Sequence, residues 1–201
     1  MPYQVAALFV ETHGVYSGVP GVDLWDADRD ALFYKGPYPV VAHPPCARWS
    51  VLAPVVEAKG GARRGDDGGT FAAALGAVRK WGGVLEHPAS SAAWRAFDLP
   101  APSKGGWQKG FCGGWSAHVE QVHYGHRARK ATWLYAFGCE LPSLRWGRGE
   151  SEVWVTNAPR NGSGVHMSKQ ERKATPIAFR DILLGMARSV VRSQDEIGAM
   201  P

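Results

Sequence analysis

Tyr38-Pro39-Val40-Val41-Ala42-His43-Pro44-Pro45-Cys46 is a short apolar run that ends in two prolines and a cysteine. The run reads as a buried strand. The two prolines fix an extended exit and stop a helix from starting there. In an open α/β sheet that exit is the edge at which ligands bind. Upstream, Val5 to Val10 reads as another buried strand, with Glu11 to Tyr16 as the loop at its carboxyl end. Val22 to Trp25 is a weaker strand, and Asp26 to Tyr34 suits a short helix. Downstream, Lys59 to Gly69 holds five glycines in eleven positions and reads as a mobile loop. Thr70 can cap a helix to about Lys80, with Phe71, Leu75 and Val78 on one face. Val84 to Glu86 is then a very short strand. This recurrence of strand, helix and strand predicts an α/β fold whose parallel sheet has helical crossovers.

Beyond Pro88 the pattern is looser. Ser90 to Phe97 suits a short helix, and Pro100 to Gly114 is a Pro/Gly-rich excursion carrying Trp107. Ala117 to Val122 and Ala131 to Phe137 read as strands around Gly125-His126. Lys169 to Lys173 reads as a solvated approach to a last helix. Thr175 would cap that helix, with Pro176 in its first turn and Ile177, Phe179, Ile182, Leu183, Met186 and Val190 on its apolar face. A tail from about Ser193 is expected to fray. The whole reads as a single domain: a core over 1–138, a small insert over 139–168 and a C-terminal helix over 169–192.

Composition narrows the classes. The chain has 201 residues, 45% apolar and 20% charged, which excludes a wholly disordered polymer. No apolar run approaches the roughly twenty residues of a membrane span, and the first residues lack a signal peptide's pattern; a cytoplasmic, non-membrane protein is expected. The net charge of +5 permits a polyanionic partner without requiring one. Cys46, Cys112 and Cys139 are odd in number and far apart, so neither a disulfide framework nor a structural zinc site is expected. Nine tryptophans suit either core packing or stacking on bases.

A cysteine held by prolines just past a buried strand suits a nucleophile, although a lone cysteine is more often a buried apolar residue. Glu86 lies forty residues further on. A parallel crossover of that length brings both to one sheet edge. The stretch from Val40 to Pro88 resembles the catalytic core of the DNA cytosine-5 methyltransferases. Pro45-Cys46-x-x-Trp49-Ser50 matches the nucleophile motif, Gly69-Thr70-Phe71 resembles the helix start after the mobile loop, and Glu86-His87-Pro88 stands where Glu-Asn-Val is expected. Gln121-Val122-His123 echoes Gln-x-Arg, with His123 in place of the arginine. The resemblance covers about 40 to 125.

The resemblance implies a Rossmann-like methyltransferase-type sheet with helices on both faces, and an enzyme acting on a cytosine flipped out of DNA. Cys46 would add to carbon 6 and Glu86 would polarise the ring. Gln121 and His123 complete the implied catalytic set, His123 as the cation near the base. Phe9, Glu11, Gly14, Asp23, Trp25 and Pro44 are the implied surroundings of the methyl donor, S-adenosylmethionine, with Asp23 or Asp26 on the ribose and Trp25 on the adenine. Arg48, Arg63, Arg64, His126 and Lys130 would contact DNA, as would Arg145, Trp146, Arg148, Trp154 and Arg160 in the insert. No metal is implied.

The match has gaps. Glu11 stands where the family has a glycine, and only 37 residues separate Phe9 from Cys46, so the cofactor half is shortened by about one strand–helix unit. This keeps open a catalytically altered relative that binds DNA or a free nucleotide without methyl transfer. A third reading, a metal-dependent hydrolase built from His13, His43, His87, His118, His123 and His126, has no supporting spacing. The chain also resembles short phage-type reading frames carrying His-Pro-Pro-Cys and Tyr-Gly-His-x-x-x-Lys-x-Thr, here Tyr124 to Thr132, which implies a bacterial host cytoplasm.

Overall fold

Successive residues along the central strands point to opposite faces, and each face is covered by its own helix. The computed structural model describes residues 4–151, 153 and 167–191. Among them β1 (Val5–Leu8), β2 (Val22–Trp25), β3 (Val40–Ala42), β4 (Gly83–Pro88), β5 (Gln108–Lys109), β6 (Trp115–Glu120) and β7 (Ala131–Phe137) form one sheet. Its order is β2-β1-β3-β4-β7-β6-β5. The first four in that order run parallel, and β7, β6 and β5 continue antiparallel. The fold is therefore α/β with a mixed sheet, compatible with a Rossmann-like arrangement.

Helix α1 (Ala53–Ala58) follows the cysteine loop, and α2 (Thr70–Trp81) leads into β4. Phe71, Ala74, Leu75 and Val78 of α2 pack on Ala6, Leu8, Val40, Ala42 and Leu85. Short α3 (Ala93–Ala96) adds Trp94 to that side. On the other face α5 (Ile177–Arg188) sets Phe179, Leu183, Leu184 and Met186 against Val5, Ala7, Val41, Val84 and Leu134. Each such side chain contributes about 1.5–3 kcal/mol on burial. The last helix also reaches the first loop: Arg180 donates to the Val15 carbonyl (2.7 Å) and Arg188 to that of Pro20 (3.1 Å).

Register then fixes the site. Leu8, Ala42 and Leu85 lie level across β1, β3 and β4. The next residues, Phe9, His43 and Glu86, therefore stand at one height, Phe9 and His43 just past their strands and Glu86 still within β4. The chain passes from β1 outward to β2 and returns to β3 on the other side of β1. This reversal sets the topological switch point at the carboxyl ends of β1 and β3, the place where open α/β sheets bind ligands.

Several boundaries differ from expectation. β1 stops at Leu8 because Phe9 takes a left-handed φ of 58°. Asp26 to Tyr34 forms only a 3-10 turn at Ala31–Phe33, since the Asp26 and Asp30 side chains take up nearby backbone N–H groups. The strand expected over 117–122 is Trp115–Glu120 followed by a 3-10 turn at Gln121–Tyr124. Lys169 to Lys173, expected as a solvated approach to the last helix, forms a helix of its own, α4 (Lys169–Lys173), closed by a Ser168/Glu171 capping box. Neither Thr175 nor Pro176 caps α5 through a side chain. Trp154, Arg160 and the tail from Ser193 lie outside the described residues. No helix among the described residues is long and apolar enough to cross a membrane.

Thr70 is the first helical residue of α2 rather than its cap. Capping falls to Asp67, which accepts from the backbone N–H groups of Gly69 (3.0 Å) and Phe71 (2.9 Å) and from Trp49 Nε1 (2.8 Å). Burial opposes its charge, but these bonds outweigh that and hold the carboxyl below its usual range. Asp67→Ala is expected to lower unfolding stability by about 1–2 kcal/mol, with Asp67→Asn recovering part of the loss, as measured by urea denaturation.

Candidate active site

Cys46 sits on a turn fixed from both ends. The His43 N–H donates to the Leu8 carbonyl (3.0 Å), tying the exit of β3 to β1. Pro44 is buried and Pro45 exposed. Trp49 N–H closes the turn onto the Cys46 carbonyl (3.0 Å), and the Trp49 ring packs between Phe71 and Phe97. Trp49 thus anchors the loop, while Cys46 itself remains partly exposed.

Glu86 leaves β4 on the α5 face, together with His43. Glu86 is 8% exposed, and its carboxylate accepts two hydrogen bonds: from His43 Nδ1 (3.1 Å) and from Gln121 Nε2 (3.1 Å). The other His43 nitrogen, Nε2, meets the Tyr16 hydroxyl at 2.8 Å. Burial raises the Tyr16 phenol well above its ordinary value, so it stays protonated. An ionised Glu86 can only accept, so Nδ1 donates to it whether the imidazole is neutral or charged. Gln121 also donates to Thr132 Oγ1 (2.9 Å), whose hydroxyl donates to the Lys130 carbonyl (3.0 Å). Burial alone would raise the Glu86 carboxyl; the hydrogen bond and charge of His43, then the charges of Lys130 and His87, overcome it and bring it to about 2. Glu86 is an anion throughout the neutral range.

The cysteine and the glutamate share this field. Burial raises the Cys46 thiol, Glu86 raises it further, and Lys173 and Lys130 pull it down. The sequence reading also sets Lys130 at this edge, against substrate or phosphate. Its ammonium donates to the carbonyls of Lys173 (3.0 Å) and Ala174 (2.7 Å) and lies within the fields of Glu86 and Cys46. Sequence reasoning assigned it to DNA. It also missed Tyr16 and Thr132, and treated His43 only as a metal candidate. The signal for Tyr16 was its loop at the carboxyl end of β1; the signal for His43 was its place in His-Pro-Pro-Cys.

Other expected residues lie elsewhere. The His123 ring turns toward the Gly147 carbonyl (3.3 Å) and lies against Gly149. His126 is buried, its ring nitrogens engaging the Ala128 backbone and the Glu171 carbonyl (3.2 Å). It is a structural latch, not an exposed DNA contact. His87 points to the α2 face, stacked among Phe71 and Trp94, and burial pushes it down to about 4. Arg63 and Arg64 are exposed and Arg48 half-buried beside the cysteine loop, which Gly65 closes by donating to the Arg48 carbonyl (3.0 Å). In the insert, Trp146 packs edge-on against Trp107, and Arg145 and Arg148 are exposed. No group of His, Cys, Asp and Glu among the described residues is arranged to hold a metal ion.

The edge implied for S-adenosylmethionine is differently used. Arg29 bonds Asp23 at 2.5 Å and lies over the Trp25 ring at 4.2 Å. It takes both the carboxylate meant for a ribose and the face meant for an adenine. Asp26 accepts from the Asp28 and Arg29 backbone and from the Thr12 side chain. Phe9 packs into the core beneath α2, and exposed Glu11 forms a turn in which Gly14 N–H donates to its carbonyl (2.9 Å). These residues do not fit the donor in the roles the resemblance implies. No family model, curated protein or solved structure matches the chain.

Glu86 carries a pH signature. Its carboxyl lies near 2 when folded against 4.5 ordinarily, so its stabilising contribution is complete above 4.5 and is lost as pH falls toward 2. The stability advantage of wild type over Glu86→Gln is expected to shrink across that window and to be flat above it. Urea unfolding of both proteins at stepped pH measures it.

Proposed function

We propose that the protein is a cytosine-modifying enzyme that acts through a covalent adduct at carbon 6 of the ring. The observation that carries this reading is a buried, ionised Glu86 bonded by His43, three residues before Cys46 at the same sheet edge, with Gln121 on its other oxygen. As the thiolate of Cys46 forms the S–C6 bond, the C5–C6 π pair moves toward carbon 5 and the ring. N3 takes a proton from water, and Glu86 stabilises the resulting N3–H. The same anion accepts from the exocyclic amine of cytosine, whereas uracil would turn a carbonyl oxygen toward it. This favours cytosine by charge. Gln121 and His43 orient the carboxylate rather than touch the base. Exposed Arg63 and Arg64 and half-buried Arg48 border the cysteine loop and supply cations for a phosphate backbone, which supports DNA as the substrate.

A second reading has its own observation. Arg29 engages both Asp23 and Trp25, so the chain holds its donor edge closed with its own residues. This favours a relative that binds DNA or a free nucleotide without methyl transfer. Calorimetric titration with S-adenosylmethionine separates the two readings. No binding is expected from the position of Arg29; micromolar binding restores that donor.

The adduct itself is tested without any donor. A duplex oligonucleotide with 2-pyrimidinone in place of one cytosine offers an electrophilic carbon 6. Wild type is expected to give a covalent complex on a denaturing gel. Cys46→Ala is expected to give none, and Glu86→Gln to form it about 100-fold more slowly. Trapping that survives in Cys46→Ala overturns the reading.

A further inference from the structure

Folded chains seldom leave a run of large apolar side chains in water without a partner for it. Val51, Leu52, Val55 and Val56 are 67%, 64%, 50% and 45% exposed, all within six consecutive residues that begin five positions after Cys46. Only Ala53 of α1 is buried. The run is held out by its own backbone. Ala53 N–H donates to the Ser50 carbonyl (3.0 Å), and the N–H groups of Val55 (3.0 Å) and Val56 (3.1 Å) both reach the Leu52 carbonyl. Gly60 then turns the chain with a φ of 78°, which favours glycine. Gly61 N–H closes on the Val56 carbonyl (2.9 Å), and a Cβ at Gly61 would lie 2.8 Å from that same oxygen. Gly65 N–H returns to the Arg48 carbonyl (3.0 Å), so residues 49–64 form an excursion with a pinned base. Arg48 is two residues from Cys46, at most about 7.6 Å between Cα atoms. Trp49, set between Phe71 and Phe97 and bonded to Asp67, is the footing of the excursion.

We infer that this excursion is an apolar wedge for duplex DNA: Val51 and Leu52 enter the base stack beside the target cytosine and occupy the place it leaves. The inference rests on the proposed reaction, which needs the base outside the duplex. Charge selects the partner. Lys59, Arg63 and Arg64 stand exposed on the excursion against a single carboxylate, Glu57, and half-buried Arg48 lies at its base. Apolar side chains that project between flanking cations fit a stack of bases between two phosphate backbones. A second copy of the chain fits less well. An isologous contact would set Arg63 and Arg64 against their own counterparts. The excursion's sixteen residues also fall short of the roughly 20–30 a side in a stable protein interface.

A wedge matters only where a base pair must be opened, so the test compares substrates that differ in that respect. The 2-pyrimidinone oligonucleotide is offered as a paired duplex and as a single strand, and the rate of covalent complex formation is read on a denaturing gel. Val51→Ser combined with Leu52→Ser changes exposed side chains and is expected to leave folding intact. The double variant is expected to form the adduct about tenfold more slowly on the duplex and at the wild-type rate on the single strand. Equal rates for both proteins on the duplex overturn the inference. An equal loss on both substrates overturns it too, since that marks a defect in the cysteine turn. Opening is also read without the adduct, in a Cys46→Ala background. A duplex with 2-aminopurine beside a cytosine is expected to brighten when this protein binds, and to lose that rise when both serine substitutions are added. No rise with Cys46→Ala, or a rise that survives those substitutions, overturns the inference. A rise that depends on Val51 and Leu52, with no covalent complex from wild type, would refute the cytosine adduct alone. A duplex adduct rate indifferent to the two substitutions would refute only the wedge.

Discussion

The bond from His43 to Glu86 is the constraint on which the site depends. A carboxylate this deeply buried is costly unless its oxygens are hydrogen-bonded. His43 Nδ1 covers one oxygen and Gln121 Nε2 the other. Each partner is in turn fixed, His43 by Tyr16 and Gln121 by Thr132. The network draws on the loop after β1, the exit of β3, β4, the turn after β6 and the start of β7. Nearly every part of the sheet that reaches this edge contributes one group. Satisfying the charge and assembling the site are the same event.

The two faces of β4 show how a strand separates roles. Glu86 meets polar partners beneath α5, while its neighbour His87 is packed among Phe71 and Trp94 beneath α2 and kept neutral. One residue of register decides which becomes an anion and which an apolar filler. Trp49 plays a matching part across the loop, since its bond to Asp67 joins the cysteine turn to the start of α2.

Much of the fold was legible because it is local. The apolar runs of β1, β3 and β4 and the spacing of Phe71, Leu75 and Val78 specify buried strands and an amphipathic helix without reference to the rest of the chain. The pairing of Cys46 with Glu86 was legible for the same reason, because a crossover length follows from the chain itself. What stayed hidden was set by tertiary partners. Nothing in the sequence tells that Arg29 returns over Trp25 and Asp23, or that His126 is buried by α4 rather than open to solvent. Lys130 was read from its basic neighbours, yet its place is fixed by carbonyls more than forty residues away. Helix α4 was missed because its five residues carry no apolar face, and its Ser168/Glu171 capping box went unread.

The grip of α5 on the first loop has a consequence for how the protein is made. Arg180 and Arg188 bond carbonyls 165 and 168 positions earlier in the chain. The loop they hold carries Tyr16, the outermost member of the Glu86 network. A chain emerging from the ribosome presents β1, β3 and β4 long before α5 exists to cover them. Contacts of such separation slow folding, because the loop must close before they form. Until then, the face bearing Val5, Ala7, Val41 and Val84 lacks its helix. The growing polypeptide therefore exposes an apolar face, and chaperone demand during synthesis should track this late-arriving clasp more than the protein's size.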